Sequence, residues 1–478
     1  MNSIEVISST RSYRNMGSNN FKKVHFIGIG GIGMSALAQM LADEGAVVSG
    51  SDRSESPVTE MLESKGIHFV IGQNLESVPS DADTIVYSDA LELADPEFMK
   101  QVRALGMHTI SYFGMLGKVS EGKRTVAVAG THGKTTTTGM LAKILLDVGA
   151  NPTAIVGSIV KDFGSNYLAG KPMWDISCPT SDVGHDMSDM LFVVEACEYR
   201  DHLLELAPQV LVINNIEWDH TDYFPSLEAL QETFRKAIAR VPESGAIVTN
   251  PHDSNVAPLL ASAKAKVIDY TQEPAYELRM PGEFNQMNAR AAAAAARVVL
   301  ARMTPGVGNY ALTPGVDGLI AESLANFHGT WRRFEYKGKS VNGADVYDDY
   351  AHHPTAVRAT LEALRDKLRK ATPCGKIFVA FHPHLYSRTR DLLDEFATAF
   401  GAADKVFIAP IFAAREVDDG TVSSEMLAER IRANGVDATA LDFDAITQAF
   451  AEAGPGDAIM TMGAGDIYKI ADKLVCIS

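Results

Sequence analysis

Two glycine-rich segments, and a few charged residues beyond them, are the parts of this chain equipped for chemistry. The more informative one reads AVAGTHGKTTTT and begins inside an apolar, β-branched run, Thr125–Ala129. A glycine turn between a strand and a helix lets backbone N–H groups reach phosphate oxygens. Gly130, Thr131, His132 and Gly133 would form that cradle, Lys134 would neutralise the outer phosphates, and Thr135, followed by Thr136, would offer a hydroxyl to a divalent ion. Val128 stands five residues before Gly133, where the strict phosphate-loop pattern has glycine, so the motif is a variant. An apolar strand running into Gly-Lys-Thr has no packing rationale, and ATP is the expected ligand.

Acidic and imidazole groups follow. Glu195 ends the apolar run LFVVE, and His220 closes NNIEWDH just beyond another strand candidate. With Thr135 they form the expected metal set, a carboxylate and an imidazole suited to Mg²⁺ or Mn²⁺ beside phosphate. The other glycine segment, GIGGIGMS, places Gly28, Gly30 and Gly33 as GxGxxG, with Gly31 and Ser35 in the same turn and Asp52 ending the next strand. Such a turn holds a diphosphate, and the carboxylate suits a ribose. Alone it fits a nicotinamide dinucleotide, another diphosphate ligand, or a turn that only packs a helix on a sheet.

These groups need a scaffold. Short apolar runs alternating with helical segments predict parallel-sheet α/β domains. Strand candidates are Val24–Ile27, Val47–Ser51, Thr84–Tyr87, Thr125–Ala129, Leu191–Glu195, Val210–Asn214, Ile247–Asn250, Ile377–Phe381, Val406–Ala409 and Ala458–Met462. The alanines at 291–296 read as a good helix former, with no function needed. Boundaries fall near Leu116–Arg124 and Phe327–Trp331, which predicts a flexible segment over 1–20 and domains over 21–120, 121–327 and 328–478.

The chain has 478 residues, 46% hydrophobic and 22% charged, the balance of a globular enzyme with ordinary cores. A net charge of -17 disfavours nucleic acid and anionic membrane surfaces as partners. Cys178, Cys197, Cys374 and Cys476 are widely spaced, which argues against a disulfide framework or a zinc ribbon. The polar start lacks a signal-peptide core and no long apolar run occurs, so a cytoplasmic protein is expected.

GIGGIGMS, AGTHGKTTTT, EACEYRDHLL, NNIEWDH, WRRFE, DDYAHHPT, HPHLYSRTRDLLDEF and MGAGDI occur in this order over roughly residues 22–473. In this the chain resembles the Mur ligase family, and HPHLYSRTRD with EACEYR points to its alanine-adding branch. The resemblance implies an N-terminal Rossmann-like UDP-sugar domain, a central phosphate-loop ATPase and a C-terminal Rossmann-like amino-acid domain. It implies ligation of L-alanine to UDP-N-acetylmuramate through an acyl phosphate, by a monomer or weak homodimer. Gly28 to Ser35 and Asp52 would hold the UDP part, and Asn285 and Asn288 the adenine side. Arg333 would reach the ATP phosphates, Asp349 the nucleotide ribose, and Tyr350, His352, His384 and Arg388 the amino acid.

Within that chemistry Lys134, Glu195, His220, His352 and Arg388 are the expected catalytic groups. His352 would organise or deprotonate the amine, and Arg388 would clamp a carboxylate. His352 and His353 also fit a polar turn before a helix at Pro354. Ligand binding is expected to pull the third domain onto the central one. Phe284 replaces a histidine usual in the family, and Leu385 stands where some members carry arginine. A sibling ligase taking a peptide, a silent binding homologue and an NAD-dependent oxidoreductase are the alternatives.

Overall fold

The computed structural model describes residues 21–170, 190–303, 315–414 and 416–475. The expected flexible segment, Cys178 and Cys476 lie outside them, and Cys197 and Cys374 are free thiols. The described chain forms two compact units, one ending at Leu116 and one beginning at Gly117.

The first unit carries a five-stranded parallel sheet built from β1 (Lys23–Ile27), β2 (Val47–Asp52), β3 (His68–Ile71), β4 (Thr84–Tyr87) and β5 (His108–Ser111). The order is β3-β2-β1-β4-β5, so the direction of winding reverses between β1 and β4. In such sheets the crevice beyond that reversal receives ligands. The glycine turn lies there, between β1 and helix α1 (Ile32–Asp43).

The second unit holds two sheets. The central one has β6 (Arg124–Ala129), β7 (Thr153–Val160), β8 (Ser165–Leu168), β9 (Leu191–Glu195), β10 (Val210–Ile213), β11 (Ala246–Thr249) and β12 (Lys266–Asp269). Its order is β12-β11-β10-β6-β9-β7-β8, parallel except for β8. The third sheet has β13 (Glu335–Lys339), β14 (Asp345–Asp349), β15 (Ile377–Phe381), β16 (Lys405–Ile408), β17 (Asp437–Ala440) and β18 (Ala458–Met462). Its order is β13-β14-β18-β15-β16-β17, with only β13 antiparallel. Thus the chain has three α/β domains, as its alternating pattern predicts. Continuous apolar runs mark strands covered on both faces, which is why the strand candidates fall within a residue or two of the observed ends.

Two helices shape the centre. Helix α2 (Lys134–Asp147) follows the phosphate-type turn and packs on α3 (Glu283–Met303). Residues 291–296 are all buried, so the alanine run does more than favour helix: small side chains are needed on every face of α3. No described helix is long and apolar enough to cross a membrane.

Gly33 sits inside α1, where alanine would gain about 1 kcal/mol of helix propensity. A Cβ there would lie 2.6 Å from the Tyr112 ring. Overpacking of that kind costs about 1–3 kcal/mol. We therefore expect Gly33→Ala to destabilise the first unit in urea unfolding; a stabilised variant would contradict the contact.

Candidate active site

The carboxyl ends of β9, β6 and β10 lie side by side, and each delivers polar groups to the turn after β6. Gly133 has φ +81°, and a Cβ there would lie 2.1 Å from the Asn288 side-chain oxygen, so only glycine fits. Asn214 donates from its side chain to the Thr137 hydroxyl at 3.0 Å, and that hydroxyl donates to Asn288 at 3.3 Å. Asn288 is hydrogen-bonded to Asn285, whose amide donates to the Pro281 carbonyl at 2.7 Å. Both of these asparagines are buried, and they brace the turn from α3.

Lys134 is folded back over the loop. Its ammonium donates to both Glu198 carboxylate oxygens at 3.0 Å and to the carbonyls of Gly130 and Thr131. Burial would discharge it, yet the charge and hydrogen bond of Glu198, with Cys197 and Glu195 nearby, together outweigh burial and raise its pKa. Glu198 is likewise held below its usual range, because Lys134 and His220 outweigh the burial that pushes it up. Next to them, burial pushes the Cys197 thiol up to about 12, so it stays protonated.

Thr135 and Glu195 meet close to this pair. The Thr135 hydroxyl donates to Glu195 at 3.1 Å, and the other Glu195 oxygen accepts from Gly157 N at 2.8 Å. His220 brings Nε2 within 3.4 Å of Glu198, while its Nδ1 is buried with no hydrogen-bond partner. A hydroxyl, a carboxylate and an orphaned imidazole nitrogen are suitable donors for Mg²⁺ or Mn²⁺. The Arg333 guanidinium reaches Thr135 at 3.3 Å from the third domain. Arg333 also lines a cavity of about 150 Å³ with Met280, Pro281, Phe334, Tyr336 and Tyr347.

The third sheet brings its own groups to the same edge. Tyr350 and His352 follow β14, and His384 and Arg388 follow β15, with ring centroids 5.3 Å apart for Tyr350–His352 and 5.8 Å for His352–His384. Burial and the nearby Arg388 charge hold His352 well below 6.5, so it is a neutral imidazole at pH 7. Arg388 is fully buried, with Nε and Nη2 each 2.8 Å from Asp219 and Nη1 3.1 Å from His384 Nδ1. Its donors are thus engaged by Asp219, an acid that sequence reasoning missed. Burial pushes Asp219 up, and Arg388 together with the nearby His220, His353 and His352 more than reverses that, leaving it well below the carboxylate range.

Other placements differ from expectation. Asp349 accepts from Phe334 N at 2.6 Å and Ala351 N at 2.7 Å, so one oxygen shapes the turn before β13 and the other the turn after β14. Burial lifts it to about 6, against the pull of Arg333. His353 caps the helix α4 (Pro354–Ala371), as the polar-turn reading has it. The third domain already touches the central one here, through Arg388 to Asp219, Thr355 to Glu217, and Phe284 and Trp218 packed on the third domain's core.

In the first unit, Asp52 accepts from Gly30 N at 2.7 Å and from Arg53 N at 2.7 Å, fixing the glycine turn. Gly28 takes φ +84°, and Gly31 N donates to the Gly28 carbonyl at 3.1 Å. Ser35 is buried with its hydroxyl on the Ile32 carbonyl, beneath the turn.

Comparison with known proteins follows this architecture. Residues 23–124 match the Mur ligase family catalytic domain, 128–277 the Mur ligase middle domain, and 332–465 the Mur ligase glutamate ligase domain. The UDP-N-acetylmuramate–L-alanine ligase of Acetivibrio thermocellus is 39% identical, covering 96% of both chains. That of Clostridium novyi is 37% identical over 96% of this chain and 99% of its own. Among solved structures, the UDP-N-acetylmuramate–alanine ligase of Thermotoga maritima superposes with TM-score 0.70 at 24% identity, covering 95% of this chain and 98% of that one. The murein peptide ligase of Psychrobacter arcticus gives 0.67 at 24%, with the same coverage.

Removing one partner of a buried ion pair strands the other charge, at about 3–5 kcal/mol. Lys134 is 15% exposed and Glu198 1%. We expect Lys134→Met to fall in stability by roughly that amount. Lys134→Met/Glu198→Gln should recover most of the loss without recovering nucleotide binding, as urea unfolding and calorimetry would read. Additive losses would show that the two charges are not coupled.

Proposed function

Because the chain belongs to the Mur ligase family, we propose that it is an ATP-dependent ligase joining L-alanine to the carboxylate of UDP-N-acetylmuramate, in the cytoplasm, for peptidoglycan precursor synthesis. The observation that carries the reading is the meeting of Lys134, Thr135, Glu195 and Arg333 at one phosphate-type turn, within 3.3 Å for the Arg333–Thr135 pair. Full-length identity to ligases of that name supports it.

A carboxylate is a poor electrophile, and phosphorylating it creates a good leaving group. That step needs positioning and charge neutralisation more than covalent help. Lys134 would exchange Glu198 for the outer phosphates, and Arg333 would approach from the other side. A Mg²⁺ or Mn²⁺ ion held by Thr135, Glu195 and His220 would supply further positive charge to the phosphoryl group. The adenosine end would enter the aromatic cavity that Arg333 lines, and Gly28, Gly30 and Gly33 would receive the UDP diphosphate.

The amine must be unprotonated to attack the acyl phosphate. His352, neutral and 5.8 Å from His384 between ring centroids, would accept or organise that proton. The amino-acid carboxylate would share the Arg388 and His384 donors with Asp219.

Phosphate release from UDP-N-acetylmuramate, ATP and Mg²⁺ should depend on L-alanine in a panel that includes glycine, L-serine and a tripeptide. Turnover with the tripeptide alone would reassign the amine substrate, and no release with any amine would overturn the ligase reading. A base depressed below 6.5 is charged only in acid, so the acid limb of kcat/KM should lie below pH 6.5. His352→Gln should lower kcat and abolish that limb; an unchanged profile would remove His352 from proton transfer.

A further inference from the structure

Three side chains to which the proposed reaction gives no role converge at the seam between the central and third domains, although the backbone of one of them belongs to the phosphate cradle. His132 comes from the phosphate-type turn, Glu217 from the loop after β10, and His353 from the start of α4. One ligand atom from each lies within 4.8 Å of the others. Glu217 Oε2 is 3.5 Å from His132 Nε2 and 3.8 Å from His353 Nδ1. We propose that His132, Glu217 and His353 form a binding site for a borderline divalent transition metal, such as Zn²⁺, Co²⁺ or Ni²⁺, separate from the hard-ion site of Thr135, Glu195 and His220.

The tautomers favour a cation at the centre. His353 directs Nε2 at the Trp218 carbonyl, 3.2 Å away, which requires the ring proton there. Its Nδ1 therefore carries a lone pair, which accepts the long helix-capping hydrogen bond from Thr355 N at 3.4 Å and stands 3.8 Å from the Glu217 carboxylate. Two acceptors turned to one another repel unless a positive centre lies between them. His132 Nε2 is buried and makes no hydrogen bond although Glu217 faces it. Metal–ligand bonds of about 2.0–2.2 Å place neighbouring donors about 3.0–3.5 Å apart, so His132 and Glu217 at 3.5 Å are already spaced for an ion and His353, 3.8 Å from Glu217, would move inward on binding.

The site is also held in shape. The His132 backbone is fixed by Asn215, which accepts from its N–H at 2.9 Å, and by Asn214, which donates to its carbonyl at 3.1 Å. Thr131 exchanges hydrogen bonds with the Glu217 backbone at 2.8 and 3.0 Å. The Thr355 hydroxyl donates to Glu217 Oε2 at 2.6 Å, an outer contact of the kind that orients a ligating carboxylate. Two imidazoles and one carboxylate select borderline ions over Mg²⁺ and leave positions open for water.

The probe is Co²⁺ added to the full-length, chelator-stripped chain in excess Mg²⁺, followed by calorimetry and visible absorption. One Co²⁺ per chain is expected, with X-ray absorption showing two imidazoles. His353→Asn, which keeps a helix-capping side chain, and Glu217→Gln should each weaken binding about tenfold or more. His220→Ala should leave it in place. Absence of Co²⁺ binding by the wild-type chain, unchanged affinity in a folded variant, or loss only in His220→Ala would overturn the proposal. Circular dichroism reports folding of each variant, and the wild-type measurement decides even if both misfold.

Discussion

The buried ion pair between Asp219 and Arg388 holds the third domain's chemistry against that of the central domain. Asp219 lies near the end of a loop, residues 214–220, that touches many of the functional groups. Asn214 and Asn215 fix the phosphate-type turn, Glu217 faces His132 and His353, and His220 reaches Glu198. Trp218, partly buried, packs against the third domain's core. With Arg388 2% exposed, loss of either charge would leave the other buried and unpaired, a loss of about 3–5 kcal/mol. The pair therefore constrains position more than it adds net stability.

Backbone strain gathers around the same seam. His220, Arg332, Phe334 and Leu385 have φ of +54°, +60°, +46° and +72°, although none is glycine. Such residues cost on the order of 1–3 kcal/mol each and persist only where their surroundings fix them. Each has such surroundings. The His220 N–H donates to Asp219 and its carbonyl accepts from Tyr223 and Phe224; Phe334 N donates to Asp349; Leu385 is buried and bonded to the Phe412 carbonyl. Leu385 in particular joins His384 to the helix carrying Arg388, so its unusual conformation sets where the histidine lies. An arginine there would have to carry its charge into a buried position.

The scaffold was legible because parallel strands covered on both faces read as apolar runs, and packing alone does not call for Gly-Lys-Thr after such a run. The partners of the functional residues were not. Glu198 sits three residues past Glu195, and Glu217 and Asp219 just before His220, where acids ordinarily read as solvated loop charge. The signal was their proximity to Lys134, His132 and Arg388, and these meet only through the strand order β10-β6-β9 and the seam with the third sheet. The alanine run of α3 carried no mark distinguishing helix propensity from burial on every side. Asp349 was marked only by the family resemblance, and its hold on Phe334 N, which depends on the left-handed turn there, had no sign in the sequence.

Adjacent arginines face opposite ways at that turn. Arg332 is buried on Asp348 and on the carbonyls of Gly463 and Gly465, tying β14 to the turn after β18. Arg333 points instead to Thr135. The Tyr350 ring lies beside both, 5.3 Å from the Arg332 guanidinium and 4.9 Å from that of Arg333, and its N–H donates to the Arg332 carbonyl at 2.7 Å. Cation–π contacts at partly buried sites are worth about 0.5–2 kcal/mol, enough for a shift of one arginine to be felt by the ring. Because Arg332 is anchored by three neutral or charged acceptors, Arg333 is the one free to respond to charge at the phosphate-type turn. The first group to register its movement is Tyr350, which borders His352, so the two ends of the site share a side chain without any long-range path.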